Sequence, residues 1–428
     1  MANSLSPQNN QGNSIEASVD RYLAPFIQMK DFSGTILIAK NDKILLRKSF
    51  GAANYELSVP NKPQTKFQIA SLSKTFTAAA IVLLEKNGHL RLDEALSKFI
   101  PDFPNGDRIK ISHLLSHSAG IPDFYALLEY EDLNTTPVAF QDWIDLLKTK
   151  PLDFEPGQNS RYSNSGYMLL AAVIEKSTDE KYEHFLHSQI FKPLKMENTG
   201  VVDDMHIISN MASGYDPWIG PQGLIKAPYH SKSVLTGSGS LYSTVDDLYT
   251  WYLAIRGEKL FSISELAYPY GWGVRERFGH KLLEQDGSNP GFIAHISAYL
   301  AENLCIIALG NIRTGVMTRI KEDLAAIALG RDYEIPRLRK VIKVDPDVLD
   351  KYVGRYQVSP SMVMSIKRDG KYLYLKGTGG EFLPLEALSE NEFFYRQLYA
   401  SIVFDEDDSG RVHQLLWDRQ YPIQKIGD

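Results

Sequence analysis

The sequence predicts an α+β domain followed by a small all-β unit. Strand patterns occur at both ends of one long segment whose middle is rich in helix patterns, which is typical of a sheet completed by both ends of a domain. After residue 345, short alternating segments follow one another with turn residues between them, as in small barrels. The 428 residues, 43% of them hydrophobic, are sufficient for two folded domains.

The elements of the α+β domain can be placed one by one. A tight turn at Asn41-Asp42 is expected to join the first two strands, and strand patterns return after the glycine-rich stretch that ends at Phe292. Helices are predicted over 14–28 and 318–328, and strands over 34–40, 43–47, 292–300 and 304–309. We therefore expect one sheet in which the two ends of the domain meet.

The all-β unit is predicted most clearly at residues 362–376, where two alternating stretches flank Asp369-Gly370. The polar residues at the N-terminus lack the apolar side chains that would order them. We divide the chain into a disordered N-terminus (1–15), the α+β domain (16–335), a linker (336–344) and the barrel (345–428).

Composition limits the class of protein. The net charge of -6 argues against a nucleic-acid partner, and no apolar run approaches the ~18 residues that a membrane-spanning helix needs. The one cysteine, Cys305, lies in an apolar stretch and is expected to be a buried thiol. No signal peptide precedes the polar N-terminus, so localisation stays open between the cytoplasm and, if a leader was removed, the periplasm or the exterior.

The stretch Ser71-Leu72-Ser73-Lys74 is the most informative about function, because it stands at the start of a predicted helix that ends near Gly88. Residues three apart share a helix face, so the Lys74 amine can reach the Ser71 hydroxyl. Burial and the positive end of the helix dipole both disfavour the ammonium, which would let Lys74 accept the serine proton. Alone the pattern is weak, since ordinary helix starts produce it as well.

Two further stretches carry polar groups suited to the same chemistry. Tyr162 and Asn164 lie on a loop before a helix, where the phenol can relay a proton and the amide can bind a carbonyl. A tyrosine packed on the core and an asparagine that caps the helix remain the alternative. In a glycine-rich edge strand at 285–292, Gly287 lets a substrate backbone approach closely, and the backbone amide of Ser288, with that of Ser71, could form an oxyanion hole.

These residues together resemble the serine β-lactamase and penicillin-binding-protein superfamily, most closely its class C β-lactamase, family VIII esterase and D-aminopeptidase branch. The resemblance covers about residues 16–335, and the C-terminal unit resembles the lipocalin-like barrel of some hydrolases in this group. It also rests on framework stretches at 111–122, 154–157, 237–248 and 290–292. It implies an antiparallel sheet flanked by helices, an all-helical subdomain and a barrel.

The resemblance also implies roles for the site residues. Ser71 attacks an ester or amide carbonyl, and Lys74, coupled to Tyr162, takes the serine proton and returns one to the leaving group. Tyr162 then activates the water or other nucleophile that releases the acyl group. Asn164 orients the acyl amide, and the amides of Ser71 and Ser288 hold the oxyanion. No metal or organic cofactor is implied.

The stretch that begins at Gln285 corresponds to the third motif of the family and departs from its pattern. The family has Lys, His or sometimes another residue at the position of Gln285. Glutamine carries no charge and shuttles no proton, although it can donate a hydrogen bond to a carboxylate or to the Tyr162 hydroxyl. This change casts doubt on efficient recognition of a substrate carboxylate. Asp286 beside it would repel an anionic substrate if it faced the cleft.

Other polar and aromatic residues have structural interpretations. His113 and His117 lack a third ligand at metal-binding spacing, so no metal site is expected. His280 and His295 are expected to be structural, unless one of them compensates for Gln285. Aromatic residues in variable loops are candidates either for lining the cleft or for ordinary packing: Tyr125, Tyr130, Trp218 and Tyr229.

The leading functional hypothesis is a serine hydrolase that acts on an ester, an amide or a D-amino-acid-containing peptide through an acyl-enzyme. An acyltransferase or peptide cyclase of the same fold is the second, and a non-catalytic binding protein in which Gln285 marks a decayed site is the third. A small molecule or peptide is the expected partner. The sequence leaves open whether the chain forms a homo-oligomer.

Overall fold

The computed structural model describes residues 14–133, 135–136, 138–202, 205–219, 223–257, 270–359, 362–378 and 382–427. The helices are α1 (Ile15–Gln28), α2 (Ser73–Lys86), α3 (Ile111–Leu115), α4 (Tyr130–Leu133), α5 (Phe140–Lys148), α6 (Asn164–Thr178), α7 (Tyr182–Leu186), α8 (Lys192–Leu194), α9 (Val245–Arg256), α10 (Met317–Leu329) and α11 (Pro346–Asp350). The sequence predicts a disordered N-terminus, but its residues up to position 13 lie outside the described part of the chain.

A six-stranded antiparallel sheet forms the centre of the first domain. Its strands are β1 (Gly34–Lys40), β2 (Lys43–Phe50), β10 (Gly273–Arg277), β11 (His280–Asn289), β12 (Phe292–Tyr299) and β13 (Leu304–Gly310). The order β10-β11-β12-β13-β1-β2 places the first strand of the chain beside the last strand of the domain, with Gly34 opposite Gly310. The predicted sheet in which both ends meet is therefore confirmed.

Strand β1, which lies between β13 and the edge strand β2, is buried on both faces, which explains its nearly continuous apolar sequence. Leu37 belongs to a core that the sheet shares with α2, α6 and α9. Ile36 and Ile38 belong to a second core, which α1 and α10 cover from the other side. The sheet thus lies between two helical layers, as the family resemblance implied.

Local sequence signals match the observed ends of several elements. The turn between β1 and β2 has both Asn41 and Asp42 at positive φ, the conformation that a two-residue hairpin of this type requires. The hydroxyl of Ser14 accepts a hydrogen bond from the Ala17 amide and caps α1. Short strands complete this domain: β3 (Ala52–Asn54), β4 (Val59–Pro60), β5 (Phe67–Gln68), β6 (Gly200–Val201), β7 (Tyr215–Pro217), β8 (Leu224–Lys226) and β9 (Leu241–Ser243).

The C-terminal unit is a nine-stranded, nearly closed antiparallel barrel, as predicted. Its strands are β14 (Gly354–Ser359), β15 (Met362–Asp369), β16 (Tyr372–Lys376), β17 (Leu383–Pro384), β18 (Glu386–Ala387), β19 (Glu392–Tyr395), β20 (Ala400–Glu406), β21 (Val412–Trp417) and β22 (Tyr421–Gly427). The strand order is β17-β16-β15-β14-β22-β21-β20-β19-β18. Its first and last strands, β17 and β18, are separated in sequence only by Leu385. Apolar side chains such as Phe404 and Leu415 fill the interior.

A buried ion cluster joins the barrel to the first domain. Asp31, which is fully buried, accepts hydrogen bonds from Arg339 at 2.6 and 2.9 Å and from Arg396 at 2.8 Å. Arg396, on the turn after β19, also donates to the carbonyls of Met29 and Lys30. Two guanidinium groups from the C-terminal part of the chain thus depend on one carboxylate of the N-terminal part.

Replacing Asp31 with Asn should destabilise the protein by about 3 kcal/mol, because it removes the nearer carboxylate from two buried guanidinium groups and leaves them to share Glu386. Urea unfolding measures this loss. Asp93→Asn is the matched control, since Asp93 pairs with Arg91 at the exposed surface and its loss should not change the midpoint. An Asp31→Asn midpoint equal to that of the wild type would contradict the proposed importance of the cluster.

Candidate active site

Ser71 lies in a 3-10 turn, Ala70–Leu72, that leads directly into α2. Ala70 has a positive φ of 48°, a conformation that alanine adopts at an energetic cost and that is held here by the surrounding structure. Its position, one residue before the hydroxyl, turns the chain sharply from β5 into the helix. The predicted placement of Ser71 at a helix start is confirmed, and α2 ends at Lys86, two residues before Gly88.

The Lys74 amine is completely buried and is surrounded by three acceptors. Its Nζ donates to Ser71 Oγ at 3.1 Å, to Asn164 Oδ1 at 2.8 Å and to the Ser238 carbonyl at 2.7 Å. Two of these acceptors, an amide oxygen and a backbone carbonyl, have no proton to give. A neutral amine would keep its two N–H bonds to them and turn its lone pair toward Ser71.

Two hydrogen bonds hold the segment around Ser238 against the first turns of α2. Thr77 Oγ1 donates to the Gly237 carbonyl at 2.6 Å, and the Leu241 amide donates to Ser73 Oγ at 3.0 Å. Gly237 has a φ of 76°, and a Cβ there would lie 2.3 Å from the Tyr167 carbonyl oxygen. The glycine is therefore needed for the segment to approach closely enough to present the Ser238 carbonyl to Lys74.

Tyr162 reaches Ser71 from the solvent side of the site. Its hydroxyl donates to Ser71 Oγ at 2.9 Å, its side chain is 48% exposed, and Lys74 Nζ lies 4.8 Å from its ring centroid. His117 packs against the ring at 4.6 Å and accepts the Ser163 amide through Nδ1. Burial, with a smaller contribution from the Lys74 charge, lowers the pKa of His117 to about 4, so this imidazole is neutral at pH 7.

Asn164 is oriented by a residue that the sequence did not reveal. Asp123 Oδ2 accepts both the Asn164 backbone amide at 2.7 Å and its side-chain Nδ2 at 2.8 Å, which turns Oδ1 toward Lys74. Ser163, and not Asn164, caps α6, so the alternative of a capping asparagine is wrong. The framework stretch 111–122 ends one residue before Asp123, and nothing local in the sequence marks that carboxylate as part of the site.

Strand β11 forms the side of the site opposite Tyr162. Gln285 Nε2 donates to the Ser71 carbonyl at 3.2 Å, and a Cβ on Gly287 would lie 2.3 Å from the Ile69 carbonyl oxygen and 3.1 Å from the Ser71 amide nitrogen. The predicted edge strand is wrong in one respect, because β10 lies outside β11. However, β10 pairs only as far as Glu284, so the part of β11 that contacts the Ser71 turn extends beyond it.

The charge of Asp286 is neutralised on the other face of the sheet. Its carboxylate binds His295 Nδ1 at 2.6 Å and Lys321 Nζ, and together these partners hold the Asp286 pKa far below its usual range despite the opposing effect of desolvation by burial. Asp286 also lines the cleft, but its carboxylate is already paired with these two side chains. His295 is fully buried among residues facing away from Ser71, so it does not compensate for Gln285.

A cleft of about 1010 Å³ connects these groups, and both domains line it. The residues on its wall include Ser71, Tyr162, Asn164, Gly287 and Ser288. The predicted aromatic lining is confirmed for Tyr125, Tyr130 and Tyr229. Trp218 instead packs against Tyr374 of the barrel, with ring centroids 5.8 Å apart.

The remaining polar candidates have structural partners. His113 Nδ1 accepts the Lys110 amide, and His280 Nδ1 contacts Glu302 at 2.5 Å. Cys305 is buried as predicted, and burial raises its pKa. The described residues contain no cluster of three or more potential metal ligands. Among them, no helix combines the length and the apolar character that crossing a membrane demands.

Comparison with known proteins places this geometry in a family context. The profile of the family described as Beta-lactamase matches residues 19–330, and that of a domain of unknown function (DUF3471) matches residues 338–426. Penicillin-binding protein 4* of Bacillus subtilis is 28% identical over 421 residues, which are 90% of this chain and 93% of the relative. Teichoic acid D-alanine hydrolase of Staphylococcus aureus is 25% identical over 71% of this chain and 75% of the relative.

A solved structure extends the similarity to both domains. The octameric penicillin-binding protein homologue from Pyrococcus abyssi has 25% sequence identity and a TM-score of 0.64. The match covers 96% of this chain and 99% of that one, so the barrel is included.

Replacing Gly287 with Ala should separate β11 from the Ser71 turn, because the added methyl group overlaps the Ile69 carbonyl. We expect a stability loss of roughly 1–3 kcal/mol and slower labelling of Ser71 by a fluorophosphonate, measured by urea unfolding and intact mass. Gly273→Ala in the neighbouring strand is the control, since its nearest contact would be an ordinary 3.4 Å. If Ser71 of Gly287→Ala is labelled at the wild-type rate, the close approach of β11 to the Ser71 turn is not needed for its reactivity.

Proposed function

The chain belongs to the beta-lactamase family and is a serine hydrolase of that fold; on this premise we propose that it forms a covalent acyl-enzyme on Ser71. The observation that carries the proposal is the position of Ser71 Oγ, which lies 3.1 Å from Lys74 Nζ and 2.9 Å from Tyr162 Oη. A hydroxyl between a buried amine and a phenol is arranged for proton transfer.

In the proposed acylation step, neutral Lys74 accepts the Ser71 proton while Oγ bonds to the substrate carbonyl carbon. The resulting oxyanion would be held by the backbone amides of Ser71 and Ser288, beside which Gly287 leaves room. Collapse breaks the bond to the leaving group, which takes a proton from Lys74 through Tyr162. Serine is left as an ester, and the amine is neutral again.

In the proposed deacylation step, Tyr162 activates a water molecule. Its half-exposed position suits this role, because the phenol contacts both Ser71 and the open side of the cleft. Asn164, held by Asp123, would bind the acyl amide while it keeps Oδ1 on Lys74. The acid released would leave Ser71 ready for another cycle.

The substrate class we propose is an ester, amide or peptide that presents a D-amino acid to Ser71. The relative named for teichoic acid D-alanine hydrolysis supports D-configuration, and the family supports acyl transfer to water. Gln285 brings no charge to the scissile bond, which disfavours substrates whose carboxylate lies directly beside it. The octameric relative makes self-association of this chain a proposal that light scattering can test.

Acyl transfer to an amine is a second candidate function, supported by the wall of the cleft. Phe382, Leu383 and Leu398 of the barrel line the same cavity as Ser71, and an apolar wall reduces the water near an acyl-enzyme. Adding a D-amino acid amide to the hydrolysis assay distinguishes the two. A condensed product in excess over the free acid would favour the transferase.

Ser71→Ala should abolish both acylation and turnover without unfolding the protein. Intact mass after incubation with a fluorophosphonate and, separately, with a penicillin should show an adduct on the wild type alone. Lys74→Ala should slow acylation by ~10² to 10⁴-fold, since it removes the general base. An adduct on Ser71→Ala, or turnover at the wild-type rate, would refute the assignment of the nucleophile.

Gln285→His should raise the rate of hydrolysis of D-alanyl p-nitrophenyl esters, because an imidazole can carry charge and transfer a proton where the amide cannot. Gln285→Leu is the matched control, since it keeps the size but loses the hydrogen bond to the Ser71 carbonyl. Steady-state kcat/KM is the measurement. A lower value for Gln285→His than for the wild type would mean that glutamine is adapted to this enzyme's own substrate.

A further inference from the structure

The barrel contributes a fixed wall to the cleft. The Gly315 amide donates to the Arg396 carbonyl at 3.0 Å, and a Cβ on Gly315 would lie 2.5 Å from the Leu398 backbone. Because Arg396 is also bound to buried Asp31, the turn after β19 is held against the first domain. The barrel residues that line the cleft are Lys376, Gly377, Phe382, Leu383, Tyr395, Gln397 and Leu398.

Two other charged groups on the cleft wall already have partners. Arg313 forms two hydrogen bonds of 2.8 Å with Asp216. Asp286 binds His295 and Lys321 on the far face of the sheet. The charges of Arg313 and Asp286 are therefore paired within the protein.

Lys376 differs from these groups, because it forms no ion pair with any residue that the structure describes. Among the described residues, its ammonium group lies over an aromatic ring, that of Phe382, whose centroid is 4.9 Å from Nζ. A ring face holds an ammonium in place without neutralising it. The end of β16 thus presents to the cleft a positive charge that no carboxylate in the described part of the chain pairs with.

We propose that Lys376 binds a carboxylate carried by the substrate at the end remote from the scissile bond. This inference rests on the proposed function, and it adds a substrate class to it: acyl donors with a distal negative charge. One lysine matches a singly charged carboxylate better than a phosphomonoester, which carries nearly two charges at pH 7. A cavity of about 1010 Å³ gives room for a substrate that extends from Ser71 to the barrel.

The charge at Lys376 also explains how the chain can act without a cation in its third motif. Gln285 cannot form an ion pair with a carboxylate next to the scissile bond, so Lys376 of the barrel would take over recognition of the substrate's negative charge from β11. The barrel would then select substrates by the distance between the reacting carbonyl and the anionic end. That distance can be measured with substrates of graded length.

The test uses p-nitrophenyl esters of D-alanine whose amino group carries ω-carboxyacyl chains of increasing length, each compared with its neutral ω-amide. For the wild type we expect one chain length at which the carboxylate lowers KM roughly 10- to 100-fold relative to the amide. Lys376→Gln should remove this preference, and Lys376→Glu should reverse it. An equally strong preference for an ω-phosphate ester would overturn the assignment to carboxylates.

Lys367→Gln is the matched control. Lys367 lies 4.4 Å from the centroid of the same Phe382 ring, but it is exposed and is not part of the cleft wall. Its loss should leave the preference intact. A wild type without any preference, or a Lys376→Gln variant that retains it, would overturn the proposal.

The rate of Ser71 labelling by a neutral fluorophosphonate separates the two proposals. Equal labelling of the wild type and all three lysine variants means that the catalytic site is intact, so the ester series tests Lys376 alone. If the wild type is not labelled, the proposed function fails. Calorimetric binding of the ω-carboxyacyl and ω-amide D-alanine amides to Ser71→Ala would then decide whether Lys376 binds the carboxylate.

Discussion

The burial of the Lys74 amine is the constraint on which the site depends. A buried amine without partners is costly, so the fold must bring acceptors to it. Ser71 comes from the turn just before α2, whereas the other two acceptors come from distant segments, Asn164 from the start of α6 and Ser238 from the loop before β9. The same hydrogen bonds that satisfy Lys74 therefore also bring Ser71, Asn164 and the Ser238 segment together.

Local signals predicted much of the fold. The Asn41-Asp42 hairpin, the helix over 14–28 and the three-residue spacing of Ser71 and Lys74 each express a short-range rule of backbone geometry, and each is found in the structure. The supports of the site were not predictable in this way. Asp123 acts on Asn164, 41 residues away, through hydrogen bonds that leave no pattern in the sequence.

Strand alternation explains why neighbouring residues of the third motif have different surroundings. Gln285 and Gly287 face the Ser71 turn, whereas Asp286 between them points to the opposite face and meets His295 and Lys321. The sequence alone left open whether Asp286 would repel an anion. Its carboxylate is paired by His295 and Lys321, which only the three-dimensional structure brings next to it.

The two buried charge clusters differ in a way that matches their positions. Asp31 binds two guanidinium groups, which remain charged at any physiological pH, so the contact between the domains is permanent. Lys74 is instead surrounded by neutral oxygens, which accept hydrogen bonds from the ammonium and from the amine alike. A carboxylate beside Lys74 would fix its proton; the absence of one among its described hydrogen-bond partners is what permits the proton transfer proposed for Ser71.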